Sequence, residues 1–424
     1  MSDQDATMDM GDAAQPPLHL YEGYGIELEY MIVSVDTLDV LPYADRILRD
    51  ARGQVVSDLE QQHTAWSNEL VLHVLELKTN GPADSLEPLA GHFSDDIAKI
   101  HQTLVPHGAQ LLPTAMHPWL DPRDTQLWPY EHGPIYETFN RIFDCRGHGW
   151  SNLQSMHLNL PFGDDQEFGQ LHAAIRLILP LLPALAASSP YVEGRPTGIL
   201  DNRLFYYRNN SRRVPSVAGR VIPEPIYDRH TYEQELLGRI YRDLRPLDPL
   251  SVLHHEWVNA RGAIARFDRS AIEIRVLDVQ EHPQVDLAIA ALIVAVLKEL
   301  TGQRICSAPA QRLFPTEALE SIFLGTMVEA EHAVIADRPY LDLFGFPAAP
   351  RATAHEVWSH LLELTKRTGS LPAQHVGVLQ KLLQKGTLAR RILRAVGPET
   401  DRGRLLEVYR ELGACLGEGR FFES

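Results

Sequence analysis

The stretch G-Y-G-I-E-L-E-Y-M-I-V, residues 23–33, alternates apolar and polar positions from Ile26 to Tyr30. A two-residue period of this kind belongs to a strand with one buried and one polar face. Ile26, Leu28 and Tyr30 take the core side. Glu27 and Glu29 then share the other face, roughly 6–7 Å apart. Like charges that close repel, so positive charge is expected between or above them. The plain alternative is a solvated outer face, and the rest of the chain has to decide.

Three further stretches repeat the pattern. In HVLELKT (residues 73–79), Glu76 and Lys78 share a face opposite Leu75 and Leu77. In MHLNL (156–160), His157 and Asn159 lie opposite Met156, Leu158 and Leu160. In AIEIRV (271–276), Glu273 and Arg275 lie opposite Ile272, Ile274 and Val276. Antiparallel sheets often keep one wet face, but a solvated face is usually a mix of Thr, Ser and Lys. If these strands are neighbours, one concave face carries Glu27, Glu29, Glu76, His157 and Glu273. Hard oxygen donors with one imidazole suit Mg²⁺ or Mn²⁺ better than zinc, and bound ions would remove the repulsion.

The composition frames this reading. A chain of 424 residues with 44% hydrophobic and 22% charged residues has the make-up of an ordinary soluble globular protein. Its net charge of −17 opposes binding to nucleic acid or an anionic membrane. Cys145, Cys306 and Cys415 are too scattered for a disulfide frame or a zinc site and read as reduced thiols. The acidic N-terminus shows no secretory signal, so a cytoplasmic protein is expected, with a disordered tail over residues 1–18. The apolar stretches 173–187 and 287–297 fall short of the ~20 residues that span a bilayer.

Along the chain, the segment between the first two strands reads as helix or loop. Residues 85–108 form an amphipathic helix, 109–117 a short strand, and 167–190 a long helix kinked or ended by its prolines. Residues 190–230 read as a Pro-, Gly- and Arg-rich loop region, long enough to imply a function. Residues 284–300 form a helix buried all round, and the pattern beyond about 310 is mainly helical. Strands followed by segregated helices argue for an α+β fold.

The Arg-rich loop holds Arg195, Arg203, Arg208, Arg212, Arg213 and Arg220. Arginine's planar fork binds phosphate or carboxylate in a bidentate way. Arg212 and Arg213 read as surface pairs, whereas Arg203 and Arg208, beside Asp201 and the aromatic FYY, are the candidates for anion contacts. The P-loop, dinucleotide and nucleophile-elbow signatures are all absent. A bound nucleotide would need metals and arginines to hold its phosphates.

The order GxExE (25–29), ELxxxxLELKTNGP (69–82), HPW (117–119), MHLNL, LPALAASSPYVEGRPTG (182–198) and AIEIRVLD (271–278) resembles the glutamate–cysteine ligase type 2 family of carboxylate–amine ligases. The resemblance runs from about residue 20 to 305. It implies the α+β catalytic fold of glutamine synthetase and guanido kinases, a curved, mostly antiparallel sheet flanked by helices. The expected organisation is one catalytic domain over 19–424, with a family-like core to 305 and a mainly helical portion over 306–424.

The resemblance also implies site roles. Glu27, Glu29, Glu76, His157 and Glu273 would hold Mg²⁺ or Mn²⁺. Glu69 is a weaker further ligand or a substrate contact. Arg275 and Arg203 would touch nucleotide phosphates or an acyl phosphate. Arg203, Arg208, Glu69, Asn159 and Thr197 would bind substrate or nucleotide. Many bacterial members carry an HxH strand; Asn159 in the second position is instead similar to the QxN form of plant-type members.

The implied reaction phosphorylates the side-chain carboxylate of glutamate, or an analogue, from ATP. An amine such as cysteine then attacks the acyl phosphate. Its partners would be small molecules, in a family whose members are often oligomeric. A guanido-type phosphotransferase and a non-catalytic binding or regulatory protein are the alternatives.

Overall fold

The computed structural model describes residues 16–423, and the expected tail over residues 1–15 lies outside the described residues. Its centre is an eight-stranded sheet. The strands are β1 (Gly25–Ser34), β2 (Asp58–Glu60), β3 (Thr64–Asn68), β4 (Val74–Thr79), β5 (Ala109–Leu112), β6 (Ser155–Pro161), β7 (Ala263–Arg266) and β8 (Ala271–Asp278). They lie in the order β2-β3-β4-β1-β6-β8-β7, with β5 beside the C-terminal half of β1. Every ladder is antiparallel. The four strands with mixed faces are therefore contiguous, as β4-β1-β6-β8.

Register follows from the alternation. Glu29 pairs with Glu76, while Glu27 pairs with Lys78 on one side and His157 on the other. Glu273 sits opposite Asn159. The other face presents Ile26, Leu28, Leu75, Leu77, Met156, Leu158, Ile272 and Ile274, all fully buried. Each such aliphatic side chain contributes about 1.5–3 kcal/mol. A one-residue slip would move all of them to the polar side, so the core fixes where the carboxylates point.

Three helices back that face: α1 (Leu89–Leu104), α2 (Asp165–Ile178) and α4 (Pro283–Thr301), with α3 (Asn202–Asn210) between α2 and α4 in the chain. Helix α4 is buried over almost its whole length and contacts α1, α2 and two outer helices, α6 (Ala354–Thr368) and α7 (Ala373–Lys385), which follow α5 (Thr316–Glu329). The last two helices are α8 (Leu388–Val396) and α9 (Arg402–Glu418). They do something the sequence did not reveal. The Glu27–Glu29 face of β1 continues as Met31 and Val33, and these pack with Leu388, Ile392, Leu405 and Leu412 in a second core. One face of one strand is thus a polar site at its start and a dry core at its end.

Some expectations fail. The segment between β1 and β4 contains β2 and β3, not only helix and loop. Strand β4 begins at Val74, so Glu69 arrives on the turn before it. The prolines do end the long helix as expected, since α2 stops at Ile178 and Pro180 and Pro183 cannot donate to the helical ladder. The 190–230 region contains α3, whose N-cap Asp201 accepts from the Leu204 N–H at 2.9 Å. Among the described residues no helix is long and apolar enough to cross a membrane.

Candidate functional site

The positive charge expected between Glu27 and Glu29 is His157. Its Nδ1 lies 2.5 Å from Glu27 Oε2, and its Nε2 lies 3.0 Å from Ser155 Oγ. Ser155 in turn donates to Glu29 through its backbone N–H (2.8 Å) and its hydroxyl (2.9 Å). A single hydrogen-bonded chain therefore runs Glu27–His157–Ser155–Glu29. Burial pushes the Glu27 pKa up, but the His157 hydrogen bond and charge outweigh it and hold the carboxyl at about 2. Burial works against the imidazolium too, yet Glu27, Glu273 and Glu29 raise His157 to about 9.

Asn159 completes the grip, its Nδ2 donating to Glu27 Oε1 at 3.0 Å. It lies across Gly25, where an added Cβ would come within 2.9 Å of Asn159 Cβ. That close approach explains why a glycine opens the GxExE stretch.

On the β4 side the neutralisation is weaker. Glu76 accepts from Ser67 Oγ at 2.6 Å, and Lys78 is 3.7 Å away. Burial and then the Glu27 charge still raise Glu76 to about 7. Glu69 is pushed well above the usual carboxylate range, first by burial and then by Glu29, Glu76 and Glu27. Ligand atoms of Glu27, Glu76 and His157 lie within 4.8 Å of one another, as do those of Glu29, Glu69 and Glu76. Oxygen-rich groups whose own repulsion keeps protons on them are the donor sets that a hard divalent cation fits. Glu69, expected as a weaker further ligand or a substrate contact, thus lies within one of the two carboxylate groups.

Glu273 departs from its expected place. It belongs to neither three-residue group and is instead flanked by arginines, with Arg275 Nε at 2.8 Å and Arg266 Nη1 at 3.3 Å. His157 Nδ1 is 3.8 Å from it. Arg203 is fully buried, with its Nε on Asp278 Oδ1 at 2.5 Å, while its Nη2 has no partner among the described residues. A guanidinium anchored on one edge and unpartnered on another is preorganised for an anion.

These residues line one continuous groove. Its narrow end, about 260 Å³, includes Glu29, Glu69, Ser155, His157, Arg203 and Arg275. The middle adds Glu27, Glu76, Lys78, Arg266, Arg269 and Glu273. The wide end, about 660 Å³, holds Gly25, Lys78, Asn80, Asn159 and Arg269, with Pro16, Pro17 and Leu18 at its edge.

Two expected ligand contacts fall outside the groove. Arg208 Nη2 faces Glu320 Oε1 at 3.7 Å, because the helix that carries Arg208 turns it toward α5. Thr197 bonds its own turn, with its hydroxyl 2.9 Å from Asn202 Oδ1. Sequence reading missed Arg266 and Arg269, since β7 shows too little alternation to declare itself. Arg213 donates to the Ile142 carbonyl at 2.8 Å, a structural bond.

Comparison with known proteins gives a consistent picture. The model of Glutamate-cysteine ligase family 2 matches residues 24–411. An uncharacterized protein of Archaeoglobus fulgidus is 31% identical over 396 residues, covering 92% of this chain and 98% of its own. A protein of Cupriavidus metallidurans provisionally named glutamate–cysteine ligase 2 is 26% identical over 298 residues, covering 66% of this chain and 68% of its own. A like-named Leifsonia xyli protein is matched over only 46% of its length, at 23% identity. Among solved structures, glutamate–cysteine ligase of Francisella tularensis in complex with AMP superposes with a TM-score of 0.62 at 12% identity, over 93% of this chain and 88% of that one. A bifunctional glutathione synthetase from Pasteurella multocida gives 0.56 at 16% identity, over 93% and 52%.

Proposed function

The chain belongs to glutamate–cysteine ligase family 2, and from that premise we propose that it is an ATP-dependent carboxylate–amine ligase acting on the side-chain carboxylate of glutamate or a close analogue. The observation that carries this reading is the groove itself, where two three-residue donor groups lie beside the anion-ready Arg203 and Arg275.

The reaction must bring a carboxylate against a polyphosphate, so two anions have to meet. Glu27, Glu76 and His157 would hold one divalent ion, and Glu29, Glu69 and Glu76 a second. Bound there, Mg²⁺ or Mn²⁺ supplies charge neutralisation and polarises phosphoryl oxygens. His157 is a ligand only as the neutral imidazole, so its proton must leave first. Ser155, with two bonds to Glu29, fixes that carboxylate's direction, and Asn159 does the same for Glu27. Arg203, immobilised by Asp278, presents Nη2 to the acid or its acyl phosphate, and Arg275 stands beside it on the cavity wall. The narrow end is half-enclosed by aromatic side chains, which shields an acyl phosphate from water.

The test is phosphate release from Mg²⁺–ATP and glutamate with and without a panel of amines, with the amide identified by mass spectrometry. Amine-dependent release and a matching amide are expected. Phosphoryl transfer to a guanidino compound without an amide would favour a phosphotransferase. Absence of Mg²⁺–ATP binding by calorimetry would favour a non-catalytic protein.

A further inference from the structure

The narrow end of the groove is built from two chemistries. One part of its lining is polar and charged, with Glu29, Ser155, His157 and Arg275 from the sheet, Glu69 from the turn before β4 and Arg203 from α3. Its far wall is aromatic and apolar, made by Tyr136, Phe139, Trp150, Leu153, Tyr207 and Trp257. The rings support one another: Phe139 packs at 5.3 Å on Trp150 and at 5.9 Å on Trp257. Large, rigid rings of this kind offer flat apolar area at low entropic cost.

The cations lining this cavity decide what can bind there. Among the described residues they are His157 on β6, Arg275 on β8 and Arg203 on α3. His157 is held by Glu27, and Arg275 is paired with Glu273. On the ligase reading, the acid substrate would take the unpartnered Arg203 Nη2 and share Arg275 with Glu273. No further cation lines this cavity among the described residues for a carboxylate belonging to the second substrate, and burying one unpaired is costly. What the wall does offer is π faces beside the Glu69 carboxylate. That combination suits an ammonium group followed by an apolar ring.

We propose that the acceptor is an arylalkylamine without a carboxylate, its ring against Phe139, Trp150 and Trp257 and its nitrogen toward the charged part of the same cavity. This rests on the ligase reading. In the joining step the ammonium first loses one proton to water. Its lone pair then forms the C–N bond to the acyl carbon, and the C–O bond to phosphate breaks. Phosphate leaves with that electron pair, and the nitrogen sheds its second proton to give the neutral amide.

Tyramine is the probe, because Asn210 Oδ1 in the same cavity lacks a donor that a phenolic hydroxyl supplies. Two measurements separate this inference from the ligase reading. The first compares kcat/KM for tyramine, cysteine and glycine, with Mg²⁺–ATP and glutamate. The second follows tryptophan fluorescence on titration with tyramine or cysteine, in the wild type and in Trp257→Phe. Expected are a tyramine preference of at least about tenfold and saturable quenching by tyramine that shrinks in Trp257→Phe. A preference for cysteine or glycine would overturn the acceptor class and leave the ligase intact. If no amine supports turnover, tyramine quenching that cysteine does not reproduce still upholds the cavity's specificity while the ligase reading falls. Absence of tyramine quenching overturns the inference.

Discussion

At the scale of single residues, the site is a problem in charge. Glu27 is held ionised by His157, whereas Glu69 and Glu76 keep protons because nothing comparable faces them. The folded-state pKa of Glu76, about 7, lies above its ordinary 4.5. Between those values the unfolded chain has released a proton that the folded protein retains, so stability falls as pH rises through that window. Glu76→Gln is therefore expected to raise the melting temperature of metal-free protein at about pH 8, by on the order of 2 °C, with the difference vanishing toward about pH 4.5. Thermal unfolding across pH checks it; a lower melting temperature at high pH would mean Glu76 is paired. Because a cation must displace protons from Glu76 and from His157, whose pKa is about 9, the Mg²⁺-induced rise should be larger at about pH 8 than at about pH 6. Glu76→Gln should lose most of that rise.

At the scale of elements, what the sequence disclosed depended on how each strand is buried. Strands β1, β4, β6 and β8 alternate cleanly because one face meets the helices and the other the groove. Glu27, Glu29, Glu76 and His157 could be placed on one face for that reason. Strand β3 is buried on both faces although its residues are Thr, Ala, Trp, Ser and Asn, so its pattern resembles a loop. Glu69 was harder to place, because it sits on the turn that ends this strand. Arg208 and Thr197 were misplaced because composition suggested a ligand-binding loop, while the Asp201 cap turns the segment into α3 and aims Arg208 at Glu320. Helices α8 and α9 carry no motif, yet they cover Met31 and Val33 on the strand that bears Glu27. Leu412→Ala, at a fully buried position of this second core, should cost about 2–5 kcal/mol. Denaturant unfolding measures this, and a change below about 1 kcal/mol would show that α9 is only loosely applied.

At the scale of the whole molecule, the terminal helices are tied to the catalytic sheet by one buried ion pair. Arg391 Nη1 lies 2.5 Å from Glu281 Oε1, just beyond β8, and also donates to the Phe422 carbonyl at 2.7 Å. Neither side chain of the pair is exposed. Arg391→Ala should cost about 3–5 kcal/mol, since it strands Glu281 without a partner. Arg391→Met with Glu281→Leu should recover much of the loss, as both charges then go together. Unfolding curves of the single and double variants distinguish this from simple loss of packing.

The proposed activation of glutamate as an acyl phosphate would take place in the groove between β4 and β8. It is tested most directly with glutamate labelled with oxygen-18 in its side-chain carboxylate. When the labelled acid is turned over with Mg²⁺–ATP and an accepted amine, the released phosphate should carry one labelled oxygen per amide formed, and Glu27→Ala should form neither product. Amide formation with unlabelled phosphate would contradict the claim, because the carboxylate oxygen would then never have been bonded to phosphorus.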